Sequence, residues 1–201
     1  MIIPNELRCA IDKYTVEIKQ KQLIQDAENI SRRYRAEGGK GKALVTTQNE
    51  VLAYSNTRMP ATYGATYNAL KHSLNKLEKM PETLLDAGAG TGAATWAAST
   101  LLELKHIVCI EREEAMSNLG KKLMGDATGQ LKFVQWIQGD ILKTPLAASS
   151  DLVIASYVFN EMTDKEREVG IRKLWDATDI ILVLVEPGTP AGYKGLIKAR
   201  S

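Results

Sequence analysis

The sequence predicts an α/β fold: a parallel sheet built from alternating strands and helices, preceded by a helical segment. Three observations carry this expectation. Apolar positions recur at helical spacing through the first 80 residues. From residue 81 onward short apolar runs alternate with amphipathic stretches, the order that builds right-handed strand-helix-strand crossovers. Between the first of these runs and the helix after it lies a glycine-rich turn, Asp86-Ala87-Gly88-Ala89-Gly90-Thr91-Gly92.

In the first part, Leu7, Ala10, Ile11 and Tyr14 mark one helix face over residues 4–14, and Leu23, Ile24, Ala27, Ile30 and Tyr34 mark a second that stops at Gly38-Gly39. Thr47-Gln48-Asn49-Glu50 is a capping box and opens a short helix over residues 51–56. A longer helix follows Arg58-Met59-Pro60, with Tyr63, Tyr67, Leu70, Leu74 and Leu77 on one stripe, and Met80-Pro81 ends it. Residues 1–80 are therefore read as a helical segment packed directly on the sheet, and residues 81–201 as the sheet-bearing domain.

In that domain the expected strands are 83–85, 106–110, 132–137, 151–155 and 180–186. The intervening helices are expected to reach about 103, to span 113–124 and, after the capping box Thr163-Asp164-Lys165-Glu166, to run to about 177. Residues 139–150 are short for a crossover, and 191–201 form a basic tail with helical character. The fifth strand is apolar throughout, the pattern of a strand covered on both faces. As the last strand it would leave a bare edge, to be shielded by the helical segment or by a second subunit in a homo-oligomer, unless the chain is a truncated form.

Composition narrows the class. With 201 residues, 44% hydrophobic and 25% charged, the chain is ordinary for a globular protein of one large domain or slightly more. No apolar run approaches the roughly 20 residues that span a bilayer, and the first residues lack a signal-peptide pattern, so a cytoplasmic or matrix-like location is expected. Cys9 and Cys109, one in the first helix and one in a strand, give neither a disulfide framework nor a metal site and read as core thiols. His72 and His106 read as structural. The net charge of +2 implies no nucleic acid by itself, yet residues 1–80 hold 13 Lys+Arg against 8 Asp+Glu. Arg32, Arg33, Arg35, Lys40 and Lys42 cluster around Gly38-Gly39-Lys40-Gly41-Lys42, where they suit phosphate contacts with RNA and equally suit a helix C-terminal dipole.

The glycine turn is the candidate site. Glycines at a strand-helix junction let the backbone approach a ligand, and the following helix presents unpaired N–H groups. Gly88-Ala89-Gly90-Thr91-Gly92-Ala93 also satisfies the dinucleotide pattern G-x-G-x-x-G/A, which alone discriminates poorly. Three acids in register decide between ligands. Asp86 precedes the loop, where a carboxylate suits a cationic amino-acid moiety and repels a pyrophosphate. Glu111 ends the second strand, placed to accept from ribose hydroxyls. Asp140, with Ile141 beside it, ends the third, placed to meet adenine. A ligand carrying a sulfonium, an ammonium and an adenosine is S-adenosylmethionine. The candidate cofactor set is Asp86, Ala87, Gly88, Gly90, Thr91, Gly92, Glu111, Asp140, Ile141 and Ser156; the plain alternative is that the acids are helix caps and turn residues.

With these residues in view, the chain resembles the mitochondrial small-ribosomal-subunit methyltransferase-like family and its bacterial relatives, within the class I S-adenosylmethionine-dependent methyltransferases. The resemblance is carried by Ile30-Ser31-Arg32-Arg33-Tyr34-Arg35, by Ala53-Tyr54 with Arg58-Met59-Pro60-Ala61-Thr62-Tyr63, by the glycine loop with Ala94-Thr95-Trp96-Ala97, and by Glu186-Pro187-Gly188-Thr189-Pro190. It implies a Rossmann-like class I methyltransferase sheet, strand order 3-2-1-4-5, here without the final antiparallel pair. It also implies action on or around small-subunit ribosomal RNA, largely as an assembly factor. Longer members continue into a cysteine-containing segment, which this sequence does not contain, so no cluster is carried over.

The acceptor pocket is expected beyond the fourth strand, near Ser156, Tyr157, Asn160 and Glu161, with Tyr54, Arg58 and Tyr63 folding over it. Ser156-Tyr157-Val158-Phe159 is not the Asn/Asp-Pro-Pro-aromatic loop of adenine amino methylation, and no cysteine nucleophile lies there. No catalytic residue is assigned: Glu161 as general base competes with a role at a helix start. Two function classes stand, a methyltransferase of the small subunit and a module that binds the cofactor without catalysis. A nicotinamide dehydrogenase is disfavoured by Asp86 and by the lack of a proton relay.

Overall fold

The structure, a computed structural model, describes residues 3–16, 18–37, 45, 47–146 and 148–200, with the side chains of 34–37 and 200 left out. Lys40, Lys42 and the Gly38-Gly39 stop lie outside the described residues, as does the Arg35 side chain.

Five parallel strands form the sheet in the order β3-β2-β1-β4-β5, with β1 Thr83–Ala87, β2 His106–Glu111, β3 Gln135–Gln138, β4 Ser150–Ser156 and β5 Thr178–Val185. The order reverses beside β1, so the carboxyl ends of β1 and β4 diverge into a crevice, the position where open parallel sheets bind ligands. Register aligns Asp86 with Cys109 on one side and with Ile154 on the other. Residues of one strand alternate between faces. Leu84, Cys109, Leu152 and Ile154 pack into the larger core, whereas Leu85, Ala87, Ile110, Val153 and Ala155 pack into the smaller one.

The larger core is covered by α5 Ala93–Leu101 and α6 Glu114–Gly125, and over these lie α1 Asn5–Thr15, α3 Gln48–Thr57 and α4 Met59–Leu74. Against α3 packs α2 Gln20–Glu37. Polar ties fix the layers: Lys13 Nζ to Asp126 at 2.8 Å, Thr128 Oγ1 to Glu6 at 2.7 Å, and Tyr63 Oη to Thr100 Oγ1 at 3.2 Å. The smaller core is closed by α7 Asp164–Asp176, and α8 Pro190–Arg200 packs beside it. Both expected capping boxes form, Thr47 with Glu50 and Thr163 with Glu166, each a contribution of about 1 kcal/mol to its helix.

Several expectations are corrected. The third strand begins at Gln135, because Gly129 at φ 62° opens a 3-10 turn, Gly129–Phe133, that buries Leu131 and leaves Phe133 78% exposed. Beyond it, Trp136 packs on Gly120 of α6 so closely that a Cβ there would overlap the indole. Ile24 faces solvent rather than the helix contact, and Cys9 is exposed, unlike the buried Cys109. The helical character expected of the basic tail is borne out as α8. The edge strand β5 is covered on both faces, as its apolar sequence predicts, by α4 on one and α7 on the other, although Ile180, Ile181 and Leu182 remain half-buried.

Candidate functional site

The glycine loop leaves β1 in a conformation that requires glycine. Gly88, Gly90 and Gly92 have φ of 74°, 58° and 87°, in the left-handed region where a Cβ is strained. Gly88 also lies under the Val158 side chain, and Gly92 under Met124, so neither has room for a methyl group. Gly90 differs: nothing lies within contact of a Cβ there except Met116 Cε at 3.7 Å, and its position faces open space. The N–H groups of Gly88 and Ala89 both donate to Ile110 O, at 2.8 and 3.0 Å, which pins the loop to the end of β2. Glu111 completes the tie. Its Oε2 accepts from Gly90 N–H at 2.7 Å and its Oε1 from Glu113 N–H at 2.7 Å. Burial raises the Glu111 pKa, and these two backbone donors oppose that shift.

Against the loop opens a cleft of about 440 Å³. Of the sequence-predicted cofactor set, Gly88, Gly90, Glu111, Asp140, Ile141 and Ser156 line it together. Asp140 Oδ1 accepts from Leu142 N–H at 2.9 Å, which shapes the turn after β3 and directs the buried Ile141 inward. Ser156, ending β4, shares a hydrogen bond of 3.0 Å with the fully buried Thr66 of α4.

The remaining four are not on the cleft wall. Asp86 shares a strand face with Leu84 and points at α5, where its Oδ2 accepts from the Thr95 N–H at 3.1 Å and the Thr95 hydroxyl at 2.7 Å. Its other oxygen is buried and has no partner among the described residues. Burial pushes its pKa up to about 6 despite the two Thr95 bonds, with repulsion from Glu111 adding to the rise. Ala87 belongs to the opposite core, Thr91 donates to Met59 Sδ at 3.3 Å, and Gly92 is the left-handed cap of α5. Asp86 therefore holds the start of α5 behind the loop.

The acceptor half of the cleft brings together Ser156, Tyr157, Asn160 and Glu161 with Tyr54, Arg58 and Thr62 from α3 and α4. Tyr63 is absent from the wall. It is buried, stacked on Tyr67 with ring centroids 6.0 Å apart, and belongs to the core. Tyr157 is the one non-glycine residue at positive φ among those described, 61°, held there by its N–H to Val185 O at 2.7 Å. Strain of this kind, about 1–3 kcal/mol, persists where surrounding structure imposes it. Here it turns the chain so that Ser156 and Val158 both face the loop side.

Four features were not foreseen from sequence. Arg112, Glu113 and Met116 line the cleft, Arg112 Nε to Glu113 at 3.0 Å. Glu186, directly after β5, accepts from Phe159 N–H at 2.9 Å and from the Asn160 backbone, while its second oxygen is buried without a partner among the described residues. Burial drives the pKa of Glu186 and of Glu161 up to about 7; for Glu161, neighbouring acids oppose the relief that Arg112 provides. Burial likewise pushes the Tyr54 hydroxyl up to about 12. The strand-end position of Glu186 matches that of Glu111 and was the available signal.

A parallel 3-2-1-4-5 sheet with a glycine loop after β1 and an acid after β2 defines the class: this is the fold of class I methyltransferases. Solved structures agree on the fold. A glycopeptide N-methyltransferase, MtfA, complexed with S-adenosylmethionine superposes with TM-score 0.51 at 17% identity, over 60% of this chain and 53% of that one. CalS10, an amino pentose methyltransferase of Micromonospora echinaspora, gives TM-score 0.51 at 20% identity over 80% of this chain and 56% of that one. Residues 48–201 match the family model described as mitochondrial small ribosomal subunit Rsm22, and the chain belongs to that family. The human ribosome assembly protein METTL17, mitochondrial, is 32% identical over 168 residues, 78% of this chain and 36% of the relative. An uncharacterized methyltransferase of Anoxybacillus flavithermus is 32% identical over 99 residues, 48% of this chain and 42% of the relative. The chain thus spans well under half the length of either.

Proposed function

We propose that the cleft binds S-adenosylmethionine and that the chain acts as a methyltransferase on the assembling small ribosomal subunit, its RNA included, in a cytoplasmic or matrix-like compartment. The observation that carries the reading is the junction of Gly90 and Glu111: a positive-φ glycine facing open space, bonded at 2.7 Å to a carboxylate that borders the same cleft.

The residues fit the cofactor. Glu111 oxygens, each with a remaining lone pair, would accept from the ribose hydroxyls, and Gly88 and Gly90 leave room for close approach. Met116 and Ile141 offer apolar walls to an adenine, and Asp140 an acceptor for its amine. When bound, the cofactor supplies a methyl group on a positively charged sulfur. The protein's part is then to orient an acceptor in line and to exclude water, work that positioning alone can do. Asp86 supports the site from behind by fixing α5, not by contact. Arg32, exposed on α2, has no ion pair among the described residues and would suit an RNA phosphate, whereas Arg33 is held by Glu50 of α3.

One observation favours a second reading, a non-catalytic cofactor-binding assembly module: both oxygens of Glu111 are already engaged, as a structural clasp would be. The human relative is a ribosome assembly protein, which points the same way. Transfer of labelled methyl from S-adenosylmethionine to immature small subunits tests the enzyme reading. Cofactor binding without transfer would leave the assembly module.

A further inference from the structure

Three carboxylate or amide oxygens in and behind the acceptor half of the cleft lack a donor among the described residues. Asn160 Oδ1 is buried with no partner among the described residues, and so is Glu186 Oε2, just behind it on the turn after β5. Glu161 borders the cleft, and among the described residues its carboxylate has neither a hydrogen bond nor an ion pair. The nearby cations hydrogen-bond to other groups, Arg112 Nε to Glu113 at 3.0 Å and Arg58 to Ser31 Oγ at 3.3 Å, so Arg112 acts on Glu161 through charge alone. Acceptors without donors are costly when buried, and a ligand that satisfies them must bring donors and positive charge. A phosphodiester or the oxygen-rich edge of a pyrimidine brings neither.

From this geometry, and resting on the cofactor reading above, we infer that the acceptor group is a protonated aliphatic amine, which donates to Glu161 at the cleft wall and to Asn160 Oδ1 beside it, with the Glu186 carboxylate adding negative charge from behind. An ammonium carries three N–H donors and a positive charge, which suit a lone carboxylate and an unpartnered amide oxygen on one wall. Within the assembling subunit the matching group is a lysine side chain. The raised pKa of Glu161, caused first by burial, suits a carboxylate that takes up a proton near neutrality. In the reaction the ammonium gives one proton to Glu161. The nitrogen lone pair then forms the C–N bond to the donor methyl as the S–C bond breaks, its electron pair returning to sulfur. The product is a methylammonium and a neutral thioether, and Glu161 releases its proton to solvent.

Binding tests this without turnover. The probes are S-adenosylhomocysteine and two analogues with nitrogen in place of sulfur, one bearing an aminoethyl arm and the other a propyl arm of the same length. The expected result is that the aminoethyl analogue binds about tenfold or more tightly than the propyl one. That ratio should fall toward one in Glu161→Gln, each affinity being referred to S-adenosylhomocysteine on the same variant. An arm N-alkylated with a lysine side chain separates sources: retained affinity fits a protein lysine, and its loss beside a retained aminoethyl preference fits a small amine. Equal affinity for both arms in the wild type overturns the proposal and matches an uncharged nucleobase acceptor. Failure of S-adenosylhomocysteine itself to bind would instead sink the cofactor reading.

Discussion

Glu111 grips Gly90 through a 2.7 Å hydrogen bond from the glycine N–H, joining the end of β2 to the loop that leaves β1. Both strands are central and parallel, so the two residues form a clasp at the mouth of the crevice. Charge-assisted bonds to backbone N–H are among the stronger ones, about 1.5–3 kcal/mol each. Glu111→Ala is expected to weaken S-adenosylhomocysteine binding by about 10- to 100-fold, while Glu111→Gln, which keeps one acceptor, loses less. Isothermal titration of both variants decides, and equal affinities in Glu111→Ala and wild type would remove this residue from the site.

Gly88 and Gly90 should separate stability from binding. Gly88→Ala meets both positive φ and the Val158 side chain, so it should cost about 2 kcal/mol or more, with Val158→Ala recovering part. Gly90→Ala meets only positive φ and should cost about 1 kcal/mol. Its methyl group would nonetheless project into the cleft, so its binding loss should exceed its stability loss. Urea unfolding and titration on the same variants provide the comparison.

Stability should fall as pH rises from about 4 to about 8. Asp86, Glu161 and Glu186 have folded pKa values raised to about 6, 7 and 7 by burial, so in that window the folded chain binds more protons than the unfolded one. Their ionisation therefore costs folding free energy that is complete only above their folded values. The opposing group is small in reach: Asp151 and Asp126 are held below their ordinary values by backbone N–H groups and by Lys13, so their stabilisation is lost only in more acid solution. Unfolding midpoints measured across pH should peak near pH 4 and decline above it, and the decline should be shallower in Glu161→Gln. A flat profile to pH 8 would contradict the buried placement of these acids.

The helical layer is tied to the site through Thr66 and Ser156. Thr66→Val removes the 3.0 Å hydrogen bond at nearly constant volume and leaves Ser156 without its α4 partner. A stability loss of about 1 kcal/mol is expected, measurable by urea unfolding, with a larger loss in Ser156→Ala because it leaves the hydroxyl of the fully buried Thr66 without a partner, whereas Ser156 at the cleft wall can take water.

Most of the fold was legible because its signals are local. Helical period, capping boxes and acids after successive apolar runs each constrain a few adjacent residues, and the strand order came from the family resemblance. Legibility ended where a side chain's destination depended on which layer covers its face. Asp86 shares a face with Leu84, the face under α5, so its carboxylate reaches Thr95 rather than the cleft. The alternation was visible in the sequence, but the covering helix was not. Tyr63 was lost to the core for the same reason. Phe133 reads as strand by composition, yet Gly129 turns the chain first. Glu186 and Asn160 meet only after β4 and β5 are paired, a contact that no local pattern encodes.

The measurement that tests the central claim most directly is calorimetric titration of the folded chain with S-adenosylmethionine and S-adenosylhomocysteine, with Gly90→Ala alongside. The account predicts one site of roughly micromolar affinity for each ligand, and a large loss in Gly90→Ala at near-native stability. No heat of binding to the folded wild type, or undiminished binding to Gly90→Ala, would contradict it.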